Sequence, residues 1–232
     1  LMKILILQNR MGIGDMIMFL PFIEAISKKF KTPVTILAKK NTKVEMYFNN
    51  KEIVEEIMYL EREDNKKHSG VKGFFKLVNE LKLKKFDKVF IFNSSLRYFL
   101  ISKFSGIKEV FHYPLFKKKN QQIIEAAKEF TLKSIGEDVE STPRLFLKEQ
   151  DILKAKKDHS IDQSITNIIL GIGGSGKTKR VPASIFKSFM SKVLKRSNCR
   201  FFLMTGNNID ELKIMDEIIE SEYKEYCTPL NN

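Results

Sequence analysis

Short apolar runs alternate with longer amphipathic segments through the first half of the chain, the pattern of a parallel sheet wrapped by helices. Lys3 to Leu7 (KILIL) and Val34 to Ala38 (VTILA) read as buried strands. Between them Met16, Leu20, Ile23, Ile26 and Phe30 recur at helical spacing, and Lys28, Lys29 and Lys31 sit at the end where cations suit the helix dipole. This is one βαβ unit. Further strands are expected at Glu56 to Leu60, Lys88 to Phe92 and Glu109 to His112, with helices at Val71 to Leu83, Leu96 to Phe104 and Gln121 to Ile135. Glu61 to Gly70 (EREDNKKHSG) reads as a polar, mobile loop, and Lys117 to Lys119 as a solvated basic tip.

Around Glu149 to Thr166 the pattern turns polar, and a new βα alternation starts at Asn167 to Leu170 (NIIL). The expected division is therefore a domain over 1–160 and a second over 161–232. The second contains a Gly-rich loop, a helix from Pro182 to Arg196, a strand from Arg200 to Thr205 and a helix from Asn208 to Glu222. Two βα units and a tail are fewer than a doubly wound domain normally has, so the second domain is expected to be truncated.

The chain has 232 residues, 43% of them hydrophobic and 30% charged, which excludes a disordered or fibrous chain. No apolar run approaches the roughly 20 residues of a spanning helix, and Lys3 followed by strand-like ILIL is no signal peptide, so a cytoplasmic location is expected. The two cysteines, Cys199 and Cys227, form neither a disulfide scaffold nor a zinc spacing. Charge changes the picture more. Of the net +13, residues 1–120 hold 24 basic against 12 acidic groups, and residues 121–232 hold 17 against 16. A basic first half favours anionic partners: phosphates, anionic headgroups or nucleic acid.

Two glycine-rich turns could carry chemistry. After the first strand, Gly12 and Gly14 permit a tight turn and close backbone approach, and Asp15 falls where a helix begins. Asp15 reads as an N-cap, or as a carboxylate at the carboxyl edge of a parallel sheet, where α/β proteins bind ligands. The dinucleotide fingerprint G-x-G-x-x-G fails, because its third glycine would fall at Ile17. Gly171 to Thr178 (GIGGSGKT) matches the P-loop pattern after a strand. Against that reading, Pro182 lies five residues after Lys177, where a continuing helix would lose a hydrogen bond, and the strand Phe201 to Gly206 ends in no Asp to hold magnesium. Neither His112 nor His159 has a triad or metal pattern around it.

Four stretches, taken together and in order, carry a resemblance. They are KILILQNRMGIGDMIMFLPFIEAISKKF, IVEEIMYLEREDNKKHSGVKGFFKLVNELKLKKFDKVFIF, NSSLRYFLISKFSGIKEVFHY and IILGIGGSGKTKRVPASIF. The arrangement resembles glycosyltransferase family 9, the bacterial heptosyltransferase family, over most of the chain. The resemblance implies a GT-B architecture of two Rossmann-like domains, the first holding the acceptor and the second a nucleotide-activated sugar. It makes Asp15 the catalytic base of the Gly-Asp turn, with Gly12 and Gly14 beside the acceptor. Lys179 becomes the donor-phosphate lysine of the K-x-x-P turn, with Gly174 and Ser175 approaching the same phosphates. Asp210 and Glu211 fall near the donor ribose. Val181 departs from the Trp of many members, and the family's later Asp-Ser/Thr-Gly motif is not found.

The chemistry so implied is inverting and needs neither metal nor cofactor. Asp15 takes the proton of an acceptor hydroxyl, and Lys179 steadies the leaving nucleotide diphosphate. The implied partners are a nucleotide sugar, ADP-heptose first among them, and a phosphorylated lipid or core oligosaccharide met at the inner membrane face, with Arg97, Lys66, Lys67 and His68 as acceptor contacts; nucleic acid is not among them. Two other readings stay open on the residues alone: a P-loop nucleoside-triphosphate protein using Gly171 to Thr178, and a non-catalytic binder of anionic polymers.

Overall fold

The computed structural model describes residues 2–10, 12–48, 51–115, 121–145, 147–174 and 179–230. Ser175, Lys177, Thr178 and the basic tip at 117–119 lie outside the described residues. The chain divides into two compact units, Leu1–Phe146 and Leu147–Asn232. The division falls before the expected boundary at residue 160, because the polar stretch folds into a helix, Glu149–Asp158, that belongs to the second unit. This helix has Glu149 and Asp151 in its first turn and Lys156 and Lys157 in its last, matching the helix dipole. It is polar overall and buries no residue, so it reads in sequence as a break between domains and not as an element.

In the first unit, strands β1 (Ile4–Leu7), β2 (Val34–Ala38), β3 (Val54–Tyr59), β4 (Lys88–Ile91) and β5 (Glu109–His112) form one sheet. Their order is β3-β2-β1-β4-β5 and every pairing is parallel, with Ile4 opposite both Val34 and Lys88. Helices α1 (Ile13–Ile17) and α2 (Leu20–Phe30) connect β1 to β2, α3 (Gly70–Lys84) connects β3 to β4, α4 (Leu96–Phe104) connects β4 to β5, and α5 (Ile123–Ile135) follows β5. Alternate residues of β1 feed two cores. Ile4 and Ile6 join Phe22, Ile23 and Ile26 of α2 and Ala127 and Phe130 of α5. Leu5 and Leu7 join Leu77 and Leu81 of α3 and Tyr98 and Ile101 of α4. Both faces are therefore covered, which is why these strands read as unbroken apolar runs.

The helix expected from Met16 to Phe30 is in fact two. α1 ends at Ile17 and α2 begins at Leu20, with Pro21 in its first turn. Proline has no N–H to give the preceding turn but suits a helix start. In the loop Glu61 to Gly70, residues 61–67 are exposed, whereas His68 is 1% exposed, accepts the Glu61 N–H at Nδ1 (3.1 Å) and faces Glu80 Oε2 through Nε2 (3.2 Å).

In the second unit β6 (Thr166–Gly171), β7 (Cys199–Met204) and β8 (Cys227–Leu230) form a parallel sheet in sequence order. With the polar helix numbered α6, the crossovers are α7 (Ala183–Leu194) and α8 (Ile209–Ile219). β8 is a strand where only a tail was expected. Its Pro229 is tolerated because β8 lies at the edge of the sheet. Among the described residues no helix is long and apolar enough to cross a membrane.

Candidate active site

Strand order reverses between β1 and β4, one flanked by β2 and the other by β5, so the crevice beyond their carboxyl ends is the switch point of the sheet. The chain leaving β1 enters that crevice as Gln8, Asn9 and Arg10; the chain leaving β4 enters it as Phe92, Asn93 and Ser94. Two asparagines tie them together. Asn93 donates from Nδ2 to Asn9 Oδ1 (3.2 Å), and its own Oδ1 accepts the Ser95 N–H (2.9 Å). Gln8, wholly buried, accepts the Arg10 N–H at Oε1 (2.6 Å). Sequence reasoning passed over these residues; polar side chains directly after an apolar strand were the available signal.

Asp15 is not the N-cap. That place belongs to Gly12, whose φ of 99° and ψ of 157° lie where side chains other than hydrogen are strained. Asp15 therefore sits in the first turn of α1, near the positive end of the short helix. Gly14 precedes it, exposed, in the same turn. Among the described residues the Asp15 carboxylate makes no hydrogen bond and no ion pair, and it is half-buried. The turn thus presents a carboxylate at the switch point with its acceptor capacity unspent.

The second unit has a different arrangement. Glu211, 7% exposed, accepts the Gly174 N–H at Oε1 and the Gly206 N–H at Oε2, both at 3.0 Å. One carboxylate so joins the loop after β6 to the loop after β7. The glycines make room for it: a Cβ on Gly173 would lie 3.0 Å from Glu211 Oε2, and one on Gly206 3.1 Å. Arg180 donates from Nη1 to Asp210 Oδ2 (2.5 Å), while Asn208 caps α8 by accepting the Asp210 N–H (2.9 Å). Lys179 is exposed, and its Cβ lies where a side chain on Gly174 would meet it, 3.1 Å away.

These contacts bear on the P-loop reading. Such a loop runs straight into a helix at its Gly-Lys and keeps its amides for phosphate. Among the described residues, α7 starts at Ala183 with Pro182 as its N-cap, and the Gly174 amide is already given to Glu211. Of Gly171 to Gly174, the described part of the motif, the Gly174 amide is thus held by a carboxylate of the chain itself.

The basic residues singled out in the first unit differ in availability. Arg97 donates from Nη2 to the carbonyls of His68 (3.0 Å) and Gly70 (2.8 Å) and lies over the Phe74 ring. Burial, with the nearby Arg62 charge, lowers its pKa. Lys67 pairs with Glu80 (2.9 Å), and Lys66 is exposed on the same loop. Arg97 and Lys67 hold the start of α3 together.

No family model and no curated protein matches the chain. Solved structures do. The chain is similar to the ADP-heptose lps heptosyltransferase II of E. coli, at 17% identity and a TM-score of 0.66, over 99% of this chain and 72% of that one. It is similar to the glycosyl transferase family 9 protein of Veillonella parvula, at 15% identity and a TM-score of 0.71, over 99% and 68%. It is also similar to E. coli heptosyltransferase WaaC with ADP-2-deoxy-2-fluoro heptose, at 14% identity and a TM-score of 0.61, over 99% and 76%. The resemblance read from the sequence and the likeness in three dimensions meet: this chain has the GT-B fold of the glycosyltransferase family 9 heptosyltransferases.

Proposed function

We propose that the protein is an inverting glycosyltransferase that moves a heptose-like sugar from a nucleotide-diphosphate donor, ADP-heptose first among them, to a hydroxyl of a phosphorylated lipid or core oligosaccharide at the cytoplasmic face of the inner membrane. The observation that carries this reading is Asp15, an unspent carboxylate in the first turn of α1 at the switch point of the sheet. Asp15 accepts the acceptor's proton while that oxygen attacks the anomeric carbon; the bond from that carbon to the donor phosphate breaks, and the nucleotide diphosphate leaves with the electron pair. Lys179 steadies the charge developing on the phosphate. The Gly174 amide serves the loop through Glu211, so the lysine carries this role within the described loop. Asp210 and Glu211 act on the donor by shaping its loops. The basic excess of residues 1–120 suits an anionic acceptor. Further support is that one structural neighbour is an ADP-heptose transferase by name and another was solved with an ADP-heptose analogue.

The test is single-turnover transfer from ADP-heptose to core oligosaccharide, with Asp15→Asn beside the wild type. Asparagine preserves size and loses basicity, so transfer is expected to fall by about 10²–10⁴-fold while Tm and calorimetric binding of ADP hold. Full transfer by Asp15→Asn would remove Asp15 from the mechanism.

A further inference from the structure

The outer side of α3 and α4 is apolar where a solvent-facing surface is ordinarily polar. α3 buries Leu77 and Leu81 and leaves Val71, Phe75 (57% exposed) and Leu83 (81%) on its outer arc. α4 is apolar on both sides. Its Tyr98 and Ile101 are buried, while Leu96, Leu100 and Phe104 recur at four-residue spacing on the other side, with Leu100 half-buried and Phe104 63% exposed. A helix apolar all round is normally buried all round. The two helices pack together, and Phe74 joins their outer sides, edge to face with Phe75 (5.2 Å) and with Phe104 (6.0 Å). Single exposed apolar side chains are ordinary, whereas a continuous patch of them marks a place where something docks.

Cations frame the patch. Lys72, Lys76 and Lys82 share the outer arc of α3 with its apolar side chains, and Lys103 precedes Phe104 on α4. All four lysines are exposed, and among the described residues none of them has an ion pair. Glu80, the one acid of the two helices, is engaged by Lys67 and His68. These residues tell three occupants apart. A second copy of the chain in a two-fold contact would set one group of lysines against the other. A nucleic-acid strand stacks its bases on rings, and Val71, Leu83, Leu96 and Leu100 offer none. An anionic bilayer suits both parts, because apolar side chains enter the acyl boundary while lysine stems reach back to the headgroup phosphates.

We propose that the outer face of α3 and α4 is a membrane-docking surface that seats the first unit on a bilayer containing anionic lipid. The proposal rests on the proposed function only for which bilayer is met; lipid binding itself needs neither donor nor acceptor.

The chain contains no tryptophan, so Phe75→Trp places a single fluorescent reporter in the patch. With the full chain and vesicles of phosphatidylglycerol and phosphatidylethanolamine, its emission is expected to shift to the blue, and vesicles of phosphatidylcholine alone should shift it far less. Ile185→Trp, as exposed on α7 of the second unit, should not shift. In flotation with the anionic vesicles, Lys72→Ala/Lys76→Ala/Lys82→Ala should weaken binding on the order of a hundredfold, at about fivefold for each lysine. Phe75→Ser/Phe104→Ser should weaken it on the order of tenfold. Lys154→Ala/Lys156→Ala/Lys157→Ala on α6 removes the same charge elsewhere and should change it by less than about threefold. Tm should hold in every variant, since these side chains are at the surface. Equal blue shifts at both reporters, equal loss in the α6 variant, or tighter binding of a single-stranded oligonucleotide than of the vesicles would overturn the docking face. So would a dimer of the chain that Phe75→Ser/Phe104→Ser dissociates. Transfer from ADP-heptose to a soluble core oligosaccharide keeps the two readings apart, and Phe75→Ser/Phe104→Ser should retain it in full. A wild-type chain that binds vesicles and transfers nothing refutes the reaction alone; one that transfers and binds no vesicle refutes the docking face alone.

Discussion

The two units are built from the same βα alternation and differ in how their sheets are covered. In the first, β1, β2 and β4 are buried at every position, and separate cores lie on the two faces. In the second, one core gathers Leu170, Phe201, Leu203 and Cys227 on one face of the sheet. On the other face Phe202 is buried, but Ile169 is 64% exposed, Met204 is exposed, and Arg200 reaches across to Thr228 Oγ1 (2.9 Å). A sheet with helices on both sides is held by packing. One covered mainly on a single side relies more on its loops, and here Glu211 joins two of them.

That contrast can be broken at its strongest point first. Phe92 lies at the end of β4, fully buried between Phe19 (5.2 Å) and Phe130 (5.1 Å). Phe92→Ala should cost about 3–5 kcal/mol in chemical denaturation, whereas Ile169→Ala should stay within about 0.5 kcal/mol. Similar losses at the two positions would mean that the second sheet is covered on both faces in solution.

A smaller effect is expected at Glu211. Glu211→Ala leaves the Gly174 and Gly206 amides without their charged acceptor and should destabilise the second unit by about 2–3 kcal/mol. Glu211→Gln, with one acceptor oxygen for two donors, should lose about half as much. Hydrogen exchange at the two amides reads the outcome directly. Protection unchanged in Glu211→Ala would show that packing, not this carboxylate, holds the loops.

The smallest effect belongs to the ion pairs of Glu80 in the first unit. Burial works against ionisation of Glu80, but hydrogen bonds from Lys67 and His68 outweigh it and lower its pKa. A carboxyl with a lowered folded-state pKa adds stability that is complete above the ordinary carboxylate range and fades as pH falls through the folded value. The Tm difference between wild type and Glu80→Gln should therefore be largest near neutrality and shrink toward the acid end. A constant difference over that range would show the contribution to be steric.

Most of the first unit was legible because its strands, buried on both faces, appear as unbroken apolar runs, and its helices carry an apolar stripe at 3.6-residue spacing. What escaped was too polar, or carried too unusual a residue, to stand out as an element. The helix at Glu149–Asp158 buries nothing, and β8 includes a proline that only an edge position tolerates. The carboxylate of Asp15 and the glycines before it were legible as a turn, but its role as cap was not decidable. A carboxylate in the first turn of a helix and one at its cap differ in the backbone angles of residues 12–15.

The sequence by itself determined the parallel βα alternation, the Gly-Asp turn after the first strand and the weakness of the P-loop match, since each depends on neighbours within a few residues. Tertiary structure alone decided what each charged group is occupied with. Arg97 is bound to the carbonyls of His68 and Gly70, and Lys67 to Glu80. Glu211 joins glycines 37 and 5 residues away. Arg10 and Tyr113 line one cavity although they are far apart in the chain. The reason is physical: a hydrogen bond or ion pair depends on distances of about 3–4 Å in space, and sequence spacing reports such distances only within a helix turn or along a strand.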